Sequence, residues 1–252
     1  MSTFQELLEK MGRKGHKENT EALGFSERMK KMFHMKEKFA EIPEKEVLTE
    51  ILQSDMENIR GTMESLDKDT FSMAAELIQN AKKIYIVGIR SCEPLADFLG
   101  FYLNMLFDEV HVVRTNSASE IFEQLMRIGA GDVLIGISFP KYSMRTVKAM
   151  ELANSRSAGV ISITDSIHSP LNLYSSCNLI ARSEMASVVD SLTAPLSVIN
   201  ALIVALCLKN QDSLKQSIET LDQLYDDYQI YGRDEMDPSG GEIEIFHQGS
   251  RV

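Results

Sequence analysis

Cysteine is scarce in this sequence and follows no pattern. Cys92, Cys177 and Cys207 are the only three among 252 residues, and no two stand in C-x-x-C spacing. No zinc-binding or redox motif exists, no metal or cofactor is expected, and an odd number of buried thiols suits a reducing compartment. Long apolar runs are missing too. No stretch approaches about 18 uncharged apolar residues, and the first thirty residues hold no apolar signal region. A membrane span is therefore not expected, and the chain reads as soluble and cytoplasmic. Glycine-rich phosphate loops are absent: Gly88-Ile89-Arg90-Ser91-Cys92-Glu93 is not G-x-G-x-x-G, and no G-x-x-x-x-G-K-[ST] occurs, which excludes both nucleotide fingerprints. Positive charge is also in short supply, with 26 Lys/Arg against 37 Asp/Glu and a net charge of −11. A chain that coats nucleic acid over its whole surface is thereby excluded, and only a local basic patch remains open. Residues 1–39 run the other way, with nine Lys/Arg against six Asp/Glu. No internal repeat of solenoid period is visible.

What is present divides by pattern. Residues 1–40 are polar, basic and helix-like, broken by Gly12 and Gly15. Pro43 marks a boundary, and residues 41–80 read as two linker helices, with Val47, Ile51, Ile59 and Met63 near helical spacing and Asp67 as the cap of the second. From Lys82 the rhythm is strand–helix. KKIYIVG, EVHVVR, DVLIGIS, GVISITDS and NLIARS are short apolar strands, and helices lie between the first four. The segment SVVDSLTAPLSVINALIVALCLKN follows as a long helix, apolar nearly all round, to be buried in the domain or at a subunit interface. Near-continuous apolar strands alternating with helices predict an α/β fold, a parallel sheet covered on both faces, over residues 81–230. Residues 231–252 read as a loose tail.

In such sheets ligands bind beyond the carboxyl ends of the strands. Two strand ends here are unusually polar. Gly88, Arg90 and Ser91 follow the first strand directly, where Gly88 permits a tight turn. Ser138-Phe139-Pro140-Lys141-Tyr142-Ser143 separates the third strand from its helix. Hydroxyls, a lysine and the free N–H groups of a helix amino terminus suit a phosphate group. Plainer readings stand beside this one: Ser143 as a helix N-cap alone, and Arg90 as an exposed strand-end charge.

These residues resemble a family. The order G-x-R-S after the first strand, then I-S-F-P-K-Y-S, then G-V-I-S-I-T-D-S-x-x-S-P-L, is similar to the sugar isomerase (SIS) domain, above all as found in RpiR-type bacterial transcriptional regulators. The resemblance spans about residues 45–230 and implies a three-layer α/β/α fold with a five-stranded parallel sheet. In the family the third strand is commonly followed by an S-x-S-G-x-T loop that holds the ligand's phosphate. Ser138 and Ser143 match its first and last hydroxyls, Pro140 replaces the middle serine, and Lys141 replaces the glycine. The implied ligand is a phosphorylated sugar or amino sugar, held by Gly88, Arg90, Ser91, Ser138, Lys141, Tyr142, Ser143 and Asp190. The segment from Thr3 to Gly15 resembles the recognition helix and following turn of the family's DNA-binding domain, so that the chain opens at that helix. Thr3, Gln5, Arg13, Lys14 and Lys17 are its candidate contacts to operator DNA.

SIS-domain isomerases need an acid/base pair within reach of the transferred proton. Glu184, Asp190 and His168 are the candidates, and none carries a distinctive signature. His168 reads as a surface histidine, Asp190 as a residue in the first turns of the long helix, and Cys92 as a buried structural thiol. The expected protein is therefore a homodimeric or homotetrameric regulator and not an enzyme. A phosphosugar isomerase, and a phosphosugar-binding protein that never touches DNA, are the alternatives.

Overall fold

The computed structural model describes residues 43–114, 118–184 and 190–228. Five parallel strands, β1 (Ile84–Gly88), β2 (Val110–Val112), β3 (Val133–Ile137), β4 (Gly159–Thr164) and β5 (Cys177–Ile180), form one sheet in the order β2-β1-β3-β4-β5. The register pairs Gly88 with Ile137 and Ile137 with Ile163, so three strand ends finish level. β1 and β3 are buried along their whole length, which is why they read as unbroken apolar runs.

Two helices precede the sheet, α1 (Glu44–Ser65) and α2 (Lys68–Gln79). Asp67 caps α2 as the sequence predicts, accepting the N–H groups of Asp69 and Thr70, and the Thr70 hydroxyl and those N–H groups hold its carboxyl below the usual carboxylate value. A 3₁₀ turn (Arg90–Cys92) then leads into α3 (Glu93–Leu103), and α4 (Ala118–Gln124) and α5 (Met144–Ser155) follow β2 and β3. α6 (Thr193–Lys209) and α7 (Gln211–Tyr228) close the described chain. One buried cluster joins α2, α3 and α6 to one face of the sheet through residues such as Ile78, Leu99, Ile135 and Leu202. A second joins α4 and α5 to the other face through Ile121, Leu134, Val147 and Met150. This is the three-layer arrangement implied by the family resemblance.

The β4–β5 connection explains the I-T-D-S-x-x-S-P-L segment in structural terms. Ser169 caps a second 3₁₀ turn (Pro170–Leu173), accepting the Leu171 N–H at 3.4 Å and the Thr164 hydroxyl at 2.9 Å, while Pro170 opens the turn where its missing N–H costs nothing.

Two expectations need correction. Asp190 is not in a helix, because α6 begins only at Thr193. Pro195 is its third residue; a proline is tolerated there, but any earlier start would place it where a ladder N–H is needed. The second is β5, which spans only Cys177–Ile180; Arg182 has left the sheet, its N–H donated to the Thr62 hydroxyl of α1 at 2.8 Å. Within the domain α6 is covered at Leu202 and Leu206, whereas Val204 and Leu208 are 57% and 65% exposed. The basic segment 1–40 and the tail lie outside the described residues.

No single helix among the described residues is long and apolar enough to cross a membrane. Among the same residues, no group of three or more His, Cys, Asp or Glu side chains is placed to hold a metal ion.

Candidate functional site

Strand order reverses between β1 and β3: the chain goes from β1 out to β2, then returns to place β3 on β1's other side. At such a reversal the loops after the two strands diverge to opposite faces and leave a crevice. The two polar junctions read from the sequence are the loops on either side of it.

On the β1 side, Gly88 is buried, and an ideal Cβ there would lie 2.5 Å from the Cys92 carbonyl oxygen. The glycine lets the 3₁₀ turn fold back against its own strand. Arg90 begins that turn with φ +62°, and Arg90 and Ser91 are exposed. Below them, burial pushes the Cys92 thiol up, opposed by its contacts with the Phe139 backbone and the Ser91 side chain, and Asp190's charge adds to the rise.

On the β3 side, Ser138 is 3% exposed and its Oγ accepts the Ser143 N–H at 3.0 Å, which closes the loop on itself. Ser143 is the N-cap of α5, accepting the Thr146 N–H at 3.4 Å. As an acceptor toward Thr146 its oxygen leaves the hydroxyl proton for another partner. The N–H groups of Met144 and Arg145, in the helix's first turn, have no intrahelical acceptor. Lys141 is exposed, with φ +66°. Tyr142 is half-buried and donates its hydroxyl to Asp165 at 2.8 Å, tying the β3 loop to the end of β4.

Left-handed backbone is uncommon for residues with a side chain, and among the described residues three such non-glycine positions occur: Arg90, Lys141 and Ser157. Ser157 follows the end of α5, where that conformation ordinarily closes a helix. The other two are both basic and flank one crevice. Lys141 also stands where the S-x-S-G-x-T pattern has glycine, the residue that adopts a positive φ without strain.

The structure gathers Gly88, Arg90, Ser91, Ser138, Lys141, Tyr142 and Ser143 at the two neighbouring strand ends, and half-buried Asp190 acts on Cys92 beneath them. Of the acid/base candidates, Asp190 alone is tied to these loops: Glu184 is exposed with its main chain bonded to Asn58, and His168 is exposed on the loop after β4, its N–H donated to Ser166 Oγ. Thr3, Gln5, Arg13, Lys14 and Lys17 lie outside the described residues. Sequence reasoning missed Asp55, Asn58 and Thr62 on α1, which bond the segment after β5. The only local signal is three polar residues at helical spacing, which any solvated helix also shows.

One buried atom stands out on α5. Thr146 is fully buried, and its Oγ1 is without a hydrogen-bond partner among the described residues. An unpaired buried hydroxyl costs about 1–3 kcal/mol. Thr146→Val, which keeps the shape and removes that hydroxyl, is expected to raise the melting temperature of the unliganded protein. A lower melting temperature on calorimetry would mean that the hydroxyl is satisfied after all.

Taken together, the strand-order reversal, the two basic turns and the helix amino terminus define an α/β domain with a polar, partly basic crevice at the carboxyl ends of β1 and β3. A model of the SIS domain matches residues 77–205, and the chain belongs to that family. Over 186 residues it is 27% identical to an uncharacterized HTH-type transcriptional regulator of Caldanaerobacter subterraneus subsp. tengcongensis, an alignment covering 71% of this chain and 64% of that protein. The chain thus spans less than two thirds of that relative's length. Among solved structures it is similar to the sugar isomerase domain of an RpiR transcription factor from Sphaerobacter thermophilus, with a TM-score of 0.68 and 23% identity over 71% of this chain and 99% of that one. It is also similar to the Vibrio vulnificus NanR protein complexed with ManNAc-6P, with a TM-score of 0.60 and 19% identity over 69% of this chain and 67% of that one.

Proposed function

We propose that this chain is the sensing part of an RpiR-type transcriptional regulator, in which a phosphorylated sugar or amino sugar bound at the β1/β3 crevice modulates DNA binding. The observation that carries the reading is the pair of basic left-handed turns, Arg90 and Lys141, on either side of one crevice beside the amino terminus of α5. A phosphate dianion there meets the Ser143 hydroxyl, the first N–H groups of α5 and the Lys141 ammonium, with Arg90 and Ser91 closing the neighbouring loop and Ser138 holding the loop's shape. Gly88 serves by packing and Tyr142 by bracing the loop on Asp165. Asp190 faces the sugar end.

In support, the Caldanaerobacter relative carries the name of an HTH-type regulator, and the Vibrio relative was solved with a phosphosugar. DNA contact falls to the basic segment 1–40, through Thr3, Gln5, Arg13, Lys14 and Lys17. The working unit is a homodimer or homotetramer. Leu48, Leu52, Met56, Ile59 and Met63 form an exposed apolar stripe along α1, and Val204 and Leu208 add to the uncovered apolar surface on α6. Large exposed patches of this kind mark association surfaces.

The test is a thermal-shift panel of hexose, pentose and amino-sugar phosphates, each beside its parent sugar. A ligand that binds only the folded state at about 100 times Kd stabilises it by roughly 2.7 kcal/mol. The expected result is a shift with one phosphosugar, none with its parent sugar, and its loss in Lys141→Ala and Ser143→Ala. A flat panel with folded protein would sink the phosphate site. Turnover of an aldose or ketose phosphate that disappears in Glu184→Gln or Asp190→Asn would replace the sensor with an isomerase.

A further inference from the structure

An ordinary surface helix turns its apolar stripe inward. α1 does the reverse. Its buried residues are Asn58, Gly61 and Thr62, while Leu52, Met56 and Met63 face outward. The inward face carries Asp55, Asn58 and Thr62 at spacings of three and four, one line along the helix. Every one of them bonds the chain that leaves β5 or enters α6. Asn58 pairs with Glu184 as a neighbouring strand would: its Nδ2 donates to the Glu184 carbonyl and its Oδ1 accepts the Glu184 N–H, both at 3.0 Å. Thr62 accepts the Arg182 N–H at 2.8 Å. Asp55 accepts the hydroxyls of Ser191 at 2.6 Å and Thr193 at 2.9 Å. Gly61 completes the fit, since a Cβ there would fall 2.5 Å from the Arg182 side chain.

The two flanks are tied to each other and, through Asp190, whose charge acts on Cys92, to the crevice. Arg182–Glu184 continues directly from β5, where the Ala181 N–H is still bonded to the Thr164 carbonyl at the end of β4. Ser183 donates its hydroxyl to the Ser191 carbonyl at 2.8 Å, which joins the two flanks to each other. Leu192 packs on the buried cluster that contains both Cys92 and Phe139, one from each loop of the crevice.

We propose that α1 is a positioning element for the crevice: through Asp55, Asn58 and Thr62 it sets where Arg182–Glu184 and Asp190–Thr193 stand against the Arg90–Cys92 turn, so that docking of α1 and filling of the site are linked. The linked ligand rests on the phosphosugar reading above; the positioning role does not. Linkage of this kind is reciprocal, so a ligand that fixes the flanks also fixes α1. Polar bonds exchange with water more readily than a packed apolar face, so α1 is releasable without opening the core. It also leads directly into the basic segment that precedes it, which makes it the mechanical connection between sensor and amino terminus.

Cys92 reports on the arrangement without any ligand. It is 4% exposed and lies beneath the Arg90–Cys92 turn, within reach of Asp190's charge. The experiment is timed alkylation of the full-length chain with iodoacetamide, read at Cys92 and Cys177 by peptide mass spectrometry. In Asn58→Ala and Asp55→Ala, Cys92 is expected to react about tenfold faster than in the unsubstituted protein, within the usual range of coupling between sites. Cys177 is expected to keep its rate, and so is Cys92 in Asp67→Ala, which uncaps α2 and serves as the control for general destabilisation. Asp55 is only half-buried, so its variant remains usable if Asn58→Ala does not fold. The second readout is amide exchange of residues 44–65 with and without N-acetylmannosamine 6-phosphate, glucosamine 6-phosphate and fructose 6-phosphate. Slower exchange with whichever compound binds supports the linkage. Unchanged Cys92 labelling in both folded variants overturns the positioning role. A compound that binds yet leaves α1 exchange as it was overturns the linkage. If none binds while labelling still rises, the phosphosugar reading falls and the positioning role stands.

Discussion

Lys141→Gly is expected to make the free protein more stable and the phosphosugar complex weaker. Lys141 holds φ +66°, a conformation that costs a residue with a side chain about 1–2 kcal/mol and glycine almost nothing. Glycine gives some of that back through the greater entropy of its unfolded chain, leaving a net gain of about 1 kcal/mol, or roughly 2–4 °C in melting temperature for a domain of this size. The ammonium is lost at the same time. A charge-assisted hydrogen bond to a phosphate contributes about 1.5–3 kcal/mol, and Lys141 is exposed and screened, so the lower end applies, about a tenfold rise in Kd. Thermal unfolding and a titration with the panel's phosphosugar check the two halves separately. The opposite signs are the informative feature, because general damage to the loop would lower both stability and affinity. A variant that loses stability would show that the strain is not real, and one that keeps full affinity would remove Lys141 from the site.

Gly88→Ala is expected to harm both. Its Cβ would sit 2.5 Å from the backbone oxygen of Cys92, a contact no side-chain rotation relieves. The 3₁₀ turn must shift away from β1, at a cost of roughly 1–3 kcal/mol for an overpacked core position. Because that turn carries Arg90 and Ser91, the same shift moves the β1 side of the crevice by a good part of an ångström. Calorimetry should show a melting temperature lower by several degrees, and phosphosugar binding should weaken beyond what the Arg90→Ala substitution alone produces. Unchanged stability would mean that the turn is softer than its packing implies. Weakened stability with full affinity would place the ligand entirely on the β3 side.

The difference between these two glycine-related positions shows what a sequence conveys. At Gly88 the sequence marks a turn, and its true constraint is a single backbone oxygen four residues on. At Lys141 the departure from the S-x-S-G-x-T pattern is visible as a charge gained, but the left-handed backbone beneath it is not.

Local pattern by itself determined the strands, the helices between them and two of the caps. Unbroken apolar runs such as Val133–Ile137 suit only a strand covered on both faces, and Asp67 and Ser143 cap helices whose first N–H groups lie within three residues of them. It also marked both polar loops of the crevice, since hydroxyls and cations at strand ends are read from neighbours in the chain. Tertiary structure alone decided that those loops meet, because the order β2-β1-β3-β4-β5 places β1 beside β3 across a crossover that no residue near either loop encodes. It likewise decided which way α1 faces. Asn58 is 126 residues from Glu184, and Asp55 is 138 from Thr193. Hydrogen bonds across that separation leave in the chain only a polar spacing that any solvated helix also shows; they exist only once the sheet has brought its carboxyl edge to the helix.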